Sequence, residues 1–161
     1  MTTRWLDADE RAAWVRLAAL VELLPGVLES QLRRDAGLTH YEYWVLAMLS
    51  EAPERTLRMT ALAAQTNATL PRLSHVIARM EERDLVRRLP CPDDRRATNA
   101  QLTQTGWRTL VEAAPGHLET VRHYVIDALT PRQVKQLGAI ADALLERIDP
   151  AAEVAAQYRR P

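Results

Sequence analysis

With 161 residues, 47% of them hydrophobic, the chain can bury one sizeable core and falls within the usual length of a single domain. One cysteine excludes an internal disulfide and a multi-cysteine metal site, His40, His75, His117 and His123 show no ligand-like pairing, and no apolar run approaches the roughly 20 residues that cross a bilayer. A formal net charge of zero argues against nucleic acid only until charge is counted by segment: residues 55 to 96 hold nine arginines against five acids, an excess of four that the remainder balances.

Neither metal, cofactor nor membrane is therefore expected. The N-terminal stretch MTTRWLDADERAAW lacks a charged-then-apolar export pattern, so a cytoplasmic location is expected. Ala, Leu and Arg dominate, Phe is absent and there are five glycines, a composition that favours helix.

The first helix is announced by DADE, with Asp7 as N-cap and Glu10 three residues on. Trp14, Leu17, Val21, Leu24, Leu28 and Leu32 then form one apolar stripe that runs to Gly37, with a kink expected at Pro25. THYE repeats the capping signal with Thr39 and Glu42, and YEYWVLAMLSEA reads as a helix ended by Pro53. A short extended piece near Thr56 to Arg58 and a brief helix, TALAAQTN, follow.

Thr69 is the expected N-cap of LPRLSHVIARMEERD, in which Leu70, Leu73, Ile77 and Met80 make the buried stripe and Arg72, Ser74, His75 and Arg79 the opposite face. A short helix, a turn and a second helix with a polar front is the arrangement that lets the second helix lie in a DNA major groove. In LVRRLP and TNAQLT, Leu85, Leu89, Ala100 and Leu102 alternate with polar residues, which predicts a hairpin with CPDDRRA at its tip. A helix-turn-helix followed by a basic hairpin is a winged helix.

From Thr103 the chain returns as a helix, with an interruption expected around Pro115 and Gly116. TPRQ starts the last helix, with Thr130 as cap and Pro131 at its first position; Val134, Leu137, Ala141, Leu144 and Ile148 make a stripe that stops at Asp149 and Pro150. The two end helices are expected to pack together, and the alanine-rich tail after Pro150 to be loose.

From about Leu38 to Leu129 the chain resembles the MarR-type bacterial transcription regulators. The resemblance is carried by RLSHVIARMEERDLVRR, by the wing in which Arg96 follows Asp94 by two residues, and by LTQTG leading into the next helix. It implies a mainly α fold with a small β-hairpin: a winged helix-turn-helix lobe over residues 38–103, and dimerisation helices over about 7–37 and 104–149. It also implies a homodimer gripping a palindromic operator on double-stranded DNA, and a small-molecule site between lobe and dimer platform; a repressor is expected. Three positions depart from the pattern. Asp84 stands where a glycine usually ends the recognition helix, Pro71 sits in that helix's first turn, and Cys91 replaces a common acidic residue of the wing.

The charge cluster has a chemical reading. A carboxylate two residues before an arginine can hold its guanidinium by a bidentate pair, so Asp94 is the expected orienter and Arg96 the probe of a minor groove. Arg87, Arg88 and Arg95 suit phosphates. On the recognition helix Arg72 can offer two donors to a guanine edge, Ser74 and His75 single contacts, and Thr69 a phosphate contact at the helix N-terminus. Pro71 is expected to fix which edge enters the groove, and Arg79 to meet backbone phosphate.

Trp14, His40, Tyr43, Trp44 and Trp107 lie on segments expected to border the cleft between platform and lobe, walls that suit an aromatic or phenolic effector with Arg11 or Arg16 near its carboxylate; the alternative is that they are core. Some regulators of this family sense oxidants through cysteine, which offers Cys91 as a redox switch, against which stands the lack of a resolving thiol; Arg88 is the expected neighbour that lowers its pKa. No glycine-rich phosphate loop, G-x-S-x-G or metal-ligand spacing occurs, so no enzyme is expected; the remaining alternative is a winged-helix protein-interaction module.

Overall fold

Helix starts fall where capping chemistry puts them in a computed structural model that describes residues 3–154. Helix α1 spans Ala8–Ala36, with Asp7 and Glu10 closing a capping box. It ends on Gly37 at φ 64°, where the Leu38 N–H reaches back to the Leu32 carbonyl at 3.3 Å and both leucines are buried. The helix continues through Pro25 without a change of element. Helix α2 (His40–Glu51) opens on the expected Thr39–Glu42 box.

After a short turn at Pro53–Arg55 come strand β1 (Thr56–Arg58), helix α3 (Met59–Gln65) and helix α4 (Leu70–Glu82), whose N-cap is Thr69. Leu73, Ile77 and Met80 point into the core, as their spacing predicts. Leu70 does not: at the first position of α4 it lies beyond the packed turns and is 44% exposed.

Strands β2 (Val86–Cys91) and β3 (Asp94–Leu102) form the hairpin, and β1 joins it to make a three-stranded antiparallel sheet in the order β1-β3-β2. The hairpin therefore extends further than expected, with only Pro92 and Asp93 between the strands. Its register slips between Pro90–Thr98 and Cys91–Asp94, interposing Arg95, Arg96 and Ala97 on β3. Pro90 has no N–H to continue the ladder, which is where bulges arise.

Asp84 occupies the left-handed region at φ 54°, as its place at the end of α4 predicts, and the Thr105 hydroxyl donates to its Oδ2 at 2.8 Å. The LTQTG stretch explains itself here. Thr103 caps helix α5 (Gln104–Val121) by accepting from Gly106 N–H, and a Cβ on Gly106 would lie 2.0 Å from the Leu85 carbonyl oxygen.

Contrary to expectation, α5 passes through Pro115 and Gly116 unbroken. Packing holds it: Leu110 and Ala113 are buried, and a Cβ on Gly116 would lie 3.2 Å from Gln31 Nε2 on α1. The irregularity comes later, as a π-helical turn over Arg122–Ile126. Helix α6 (Pro131–Ile148) starts on the expected Thr130 cap but buries no residue, so the anticipated packing of the end helices does not cover it within one chain. Of the tail, residues 155–161 lie outside the described residues. The core gathers Leu32 and Leu38, the inner faces of α2, α3, α4 and α5, and Val86, Ala100 and Leu102 of the sheet.

Candidate nucleic-acid interface

The polar face of α4 looks outward. Thr69, Pro71, Arg72, His75 and Arg79 are exposed, while half-buried Ser74 turns towards the wing. Between α4 and the wing lies a concavity of about 210 Å³ that joins Arg58, Ser74, Arg88 and Arg96 with Leu70 and Thr98. Strand β1 and the wing thus supply the cations, and α4 a hydroxyl, around one hollow.

What each arginine can do depends on its partner. Arg96 and Arg95 are exposed on the bulged end of β3, and among the described residues no carboxylate pairs with either. The expected grip of Asp94 on the Arg96 guanidinium is not formed. Asp94 Oδ1 instead accepts from the Arg96 backbone N–H at 3.0 Å, and its Oδ2 lies 3.6 Å from Arg58. The bulge turns the residue two places on so that its amide, not its side chain, meets the carboxylate. Asp94 therefore shapes the wing backbone and leaves Arg96 unneutralised.

Arg88 is clamped by Glu81 of α4, which accepts from its backbone N–H at 2.8 Å and lies 2.7 Å from its guanidinium. This side chain fastens wing to recognition helix more than it offers charge to phosphate. Arg87, one residue earlier, faces the opposite side of the sheet and donates to Gln101 Oε1 at 2.7 Å, away from α4. Strand alternation separates the two neighbours that the charge count had grouped.

Arg79 is drawn back towards α2. It lies 3.8 Å from Glu42, whose carboxylate is buried, caps Thr39 N–H and also meets Arg83 at 3.4 Å. A buried carboxylate needs such partners, and Arg79 supplies one while remaining partly exposed. Arg72 sits over the ring of Tyr41, 4.8 Å from its centroid.

Sequence reasoning counted Arg58 only as charge and passed over Glu42 and Tyr41 as partners. Arg58 bridges the wing's two strands, donating to Cys91 Sγ at 3.5 Å and pairing with Asp94. It, not the expected Arg88, holds the buried Cys91 thiol below the usual cysteine range, through its hydrogen bond and aided by the Asp93 backbone.

Of the expected effector residues, His40, Tyr43 and Trp44 come together, joined by His117 of α5, which sequence reasoning did not single out. The His40 and Trp44 rings are 6.2 Å apart, and Tyr43 is 4.3 Å from His117. Burial pushes both imidazoles below the ordinary histidine value, His117 further through the charge of His40, and Glu29 acts against the shift at His40. Beside them, α1, α2 and the first turn of α4 border a cleft of about 500 Å³ that includes Glu29, His40, Tyr41, Trp44 and Arg72. Trp14, Arg11 and Arg16 stand exposed on the N-terminal half of α1 and do not line it; Trp107 lies beneath Arg55 at 4.0 Å instead. The stripe spacing placed Trp14 on the same helix, but its turn lies beyond the part of α1 that packs on the lobe.

Residues 36–97 match a family model described as MarR family. The chain is 44% identical to Sco3205 of Streptomyces coelicolor, a MarR family transcriptional regulator solved in complex with DNA; the match covers 92% of this chain and 93% of that one, with a TM-score of 0.89. AbsC, a MarR family transcriptional regulator from the same organism, is 40% identical over 92% of this chain and 97% of its own, with a TM-score of 0.84. A MarR family regulator from Rhodococcus sp. RHA1, 21% identical over 91% of this chain and 98% of its own, shares the fold at a TM-score of 0.73.

Proposed function

This chain belongs to the MarR family of DNA-binding transcriptional regulators, and from that premise we propose that it works as a homodimeric repressor on a pseudo-palindromic operator, released by a small aromatic ligand. Residues 7–37 and 104–149 make the dimer platform and residues 38–103 the DNA-binding lobe. Two recognition helices about 34 to 36 Å apart then enter successive major grooves.

The observation that carries this reading is the division of the surface. Ser74 of α4 and the unneutralised Arg96 line one hollow, with Arg95 and the polar front of α4 exposed outside it, while α6 buries no residue and exposes Leu137, Ile140, Leu144 and Ile148. An apolar face of that extent on a regulator needs a second copy to cover it. Sco3205, 44% identical to this chain, was solved with DNA, which supports the same partner here.

Arg72 reads a guanine edge, Ser74 and His75 make single contacts, and Thr69 with the Pro71 turn approaches phosphate. Arg96 enters the minor groove and Arg95 meets phosphate. Arg87, Arg88 and Arg79 act through their partners, positioning the wing and the recognition helix. For the ligand, the aromatic walls around His40, Tyr43 and Trp44 are the supporting feature, together with two buried atoms that have no hydrogen-bond partner among the described residues, Gln31 Oε1 and His117 Nδ1.

Binding to duplex DNA should weaken with a log–log salt slope of about −0.9 per phosphate contacted. Arg96→Ala should lower affinity about tenfold while the dimer persists, a loss of the size of one charge-assisted arginine contact. A flat salt response would favour a protein-interaction module, and a protomer that stays monomeric at micromolar concentration, read by analytical ultracentrifugation, would overturn the dimer.

A further inference from the structure

We propose that Tyr41 of α2 is a positioning residue for base recognition, fixing the plane of the Arg72 guanidinium without consuming its hydrogen-bond donors. The proposal rests on the reading that Arg72 meets a base edge. Arg79, Arg83 and Arg88 are each held by a carboxylate, Glu42 for the first two and Glu81 for the third. Among the described residues Arg72 has no such partner; its guanidinium carbon stands 4.8 Å from the Tyr41 ring centroid.

The difference matters because of where a guanidinium keeps its hydrogens. All five N–H groups lie in its plane, so a carboxylate that orients arginine does so by occupying the edge that would read guanine. A ring face holds the same plane from above and leaves that edge open. Arginine poised in this way reaches a base with its fork already set, where a freely rotating side chain would lose rotamer freedom on binding.

The ring in turn is held in place. Its hydroxyl lies 2.8 Å from Thr66 Oγ1, and Thr66, 3% exposed, donates its only hydroxyl hydrogen to the Leu62 carbonyl at 2.7 Å. Tyr41 must therefore be the donor to Thr66. The chain of contacts runs from the end of α3 through Thr66 and Tyr41 to Arg72, so α2, α3 and α4 together fix one reading edge.

The test starts from duplexes that the parent protein selects from a random-sequence library, then alters them one base pair at a time. Arg72→Ala should lower the preference at one position in each half-site by about tenfold or more, the scale of a bidentate base contact. Tyr41→Leu should lower it at that same position by about two- to fivefold, the scale of an exposed cation–π contact. Tyr41→Phe, which keeps the ring face, should stay closer to the parent, and Tyr41→Leu combined with Arg72→Ala should lose no more than Arg72→Ala alone.

A merely structural Tyr41 would weaken every position evenly, and that outcome, or full parental preference in Tyr41→Leu, overturns the proposal while leaving base reading by Arg72 intact. If Arg72→Ala changes no preference, the base-reading role itself falls and this proposal with it. Should Tyr41→Leu fail to fold, the Arg72 side-chain protons of the free parent decide the matter: ring-current shifts to high field support the stack, and unshifted resonances overturn it.

Discussion

In the winged-helix lobe Leu46, Leu49, Leu62, Leu73, Ile77 and Met80 are fully buried, whereas along the terminal helices Trp14, Val21, Leu23, Ile140 and Ile148 are each more than half exposed. The same kinds of apolar stripe, read with the same helical period, end in opposite environments. The lobe's three helices and its sheet, with α5 and the end of α1, surround one core, so each stripe of the lobe finds its cover in the same chain. The N-terminal half of α1 and the whole of α6 extend past that core. Periodicity thus reports that a face must be covered and is silent about which chain covers it.

Substitutions on the two sides should break in different ways. The largest effect is expected in the lobe: Leu46→Ala removes a fully buried side chain and should lower unfolding stability by about 2 to 5 kcal/mol. Denaturant titration checks it, and the displacement of the midpoint should be the same at every protein concentration. A loss well under 1 kcal/mol would mean that the lobe is packed more loosely than its burial indicates.

Ile140→Asp should act on the other side of the comparison. It places a charge on the exposed face of α6 and should weaken self-association by about 3 kcal/mol, roughly a hundredfold, while the lobe keeps its helical signal. Sedimentation at a series of concentrations measures this. Unchanged association would count against α6 as the proposed dimer contact.

Acidification should have the smallest effect, and it sharpens the boundary between the regions, because His40 and His117 join α2 to α5. Burial holds both below the ordinary value of 6.5, so their neutral forms favour the folded state. That contribution is fully present above about pH 6.5 and declines as pH falls through the lowered folded-state range, since the unfolded chain takes up protons first. Thermal unfolding between pH 7.5 and 5 should show a modest drop, and His117→Gln should flatten it. A midpoint that rises on acidification would contradict the sign.

The capping residues were legible because each acts on a backbone N–H within three positions. Asp7, Thr39, Thr69 and Thr130 all cap the helices they were read to cap. Asp84 adopted the left-handed turn for an equally local reason. Pro115 misled, because an intrinsic breaker was overridden by packing of α5 along α1. The charge cluster was legible as a place in the fold more than as a wiring. Asp94 and Arg96 lie together as read, but the bulge after Pro90 turned the carboxylate to a backbone amide and to Arg58, 36 positions away in sequence.

Local order, then, was written in the sequence: where helices begin, which faces are apolar, and where a basic hairpin follows a polar-fronted helix, since these depend on neighbours three or four residues apart. Tertiary structure decided which arginines stay available. Glu42 with Arg79 and Arg83, Glu81 with Arg88, Arg58 with Asp94, and Tyr41 with Arg72 are pairs that only the folded path brings within a few ångströms. Charge interactions and ring contacts fall off over such distances, so the same count of arginines becomes, after folding, a few outward cations set on a scaffold fastened by the rest.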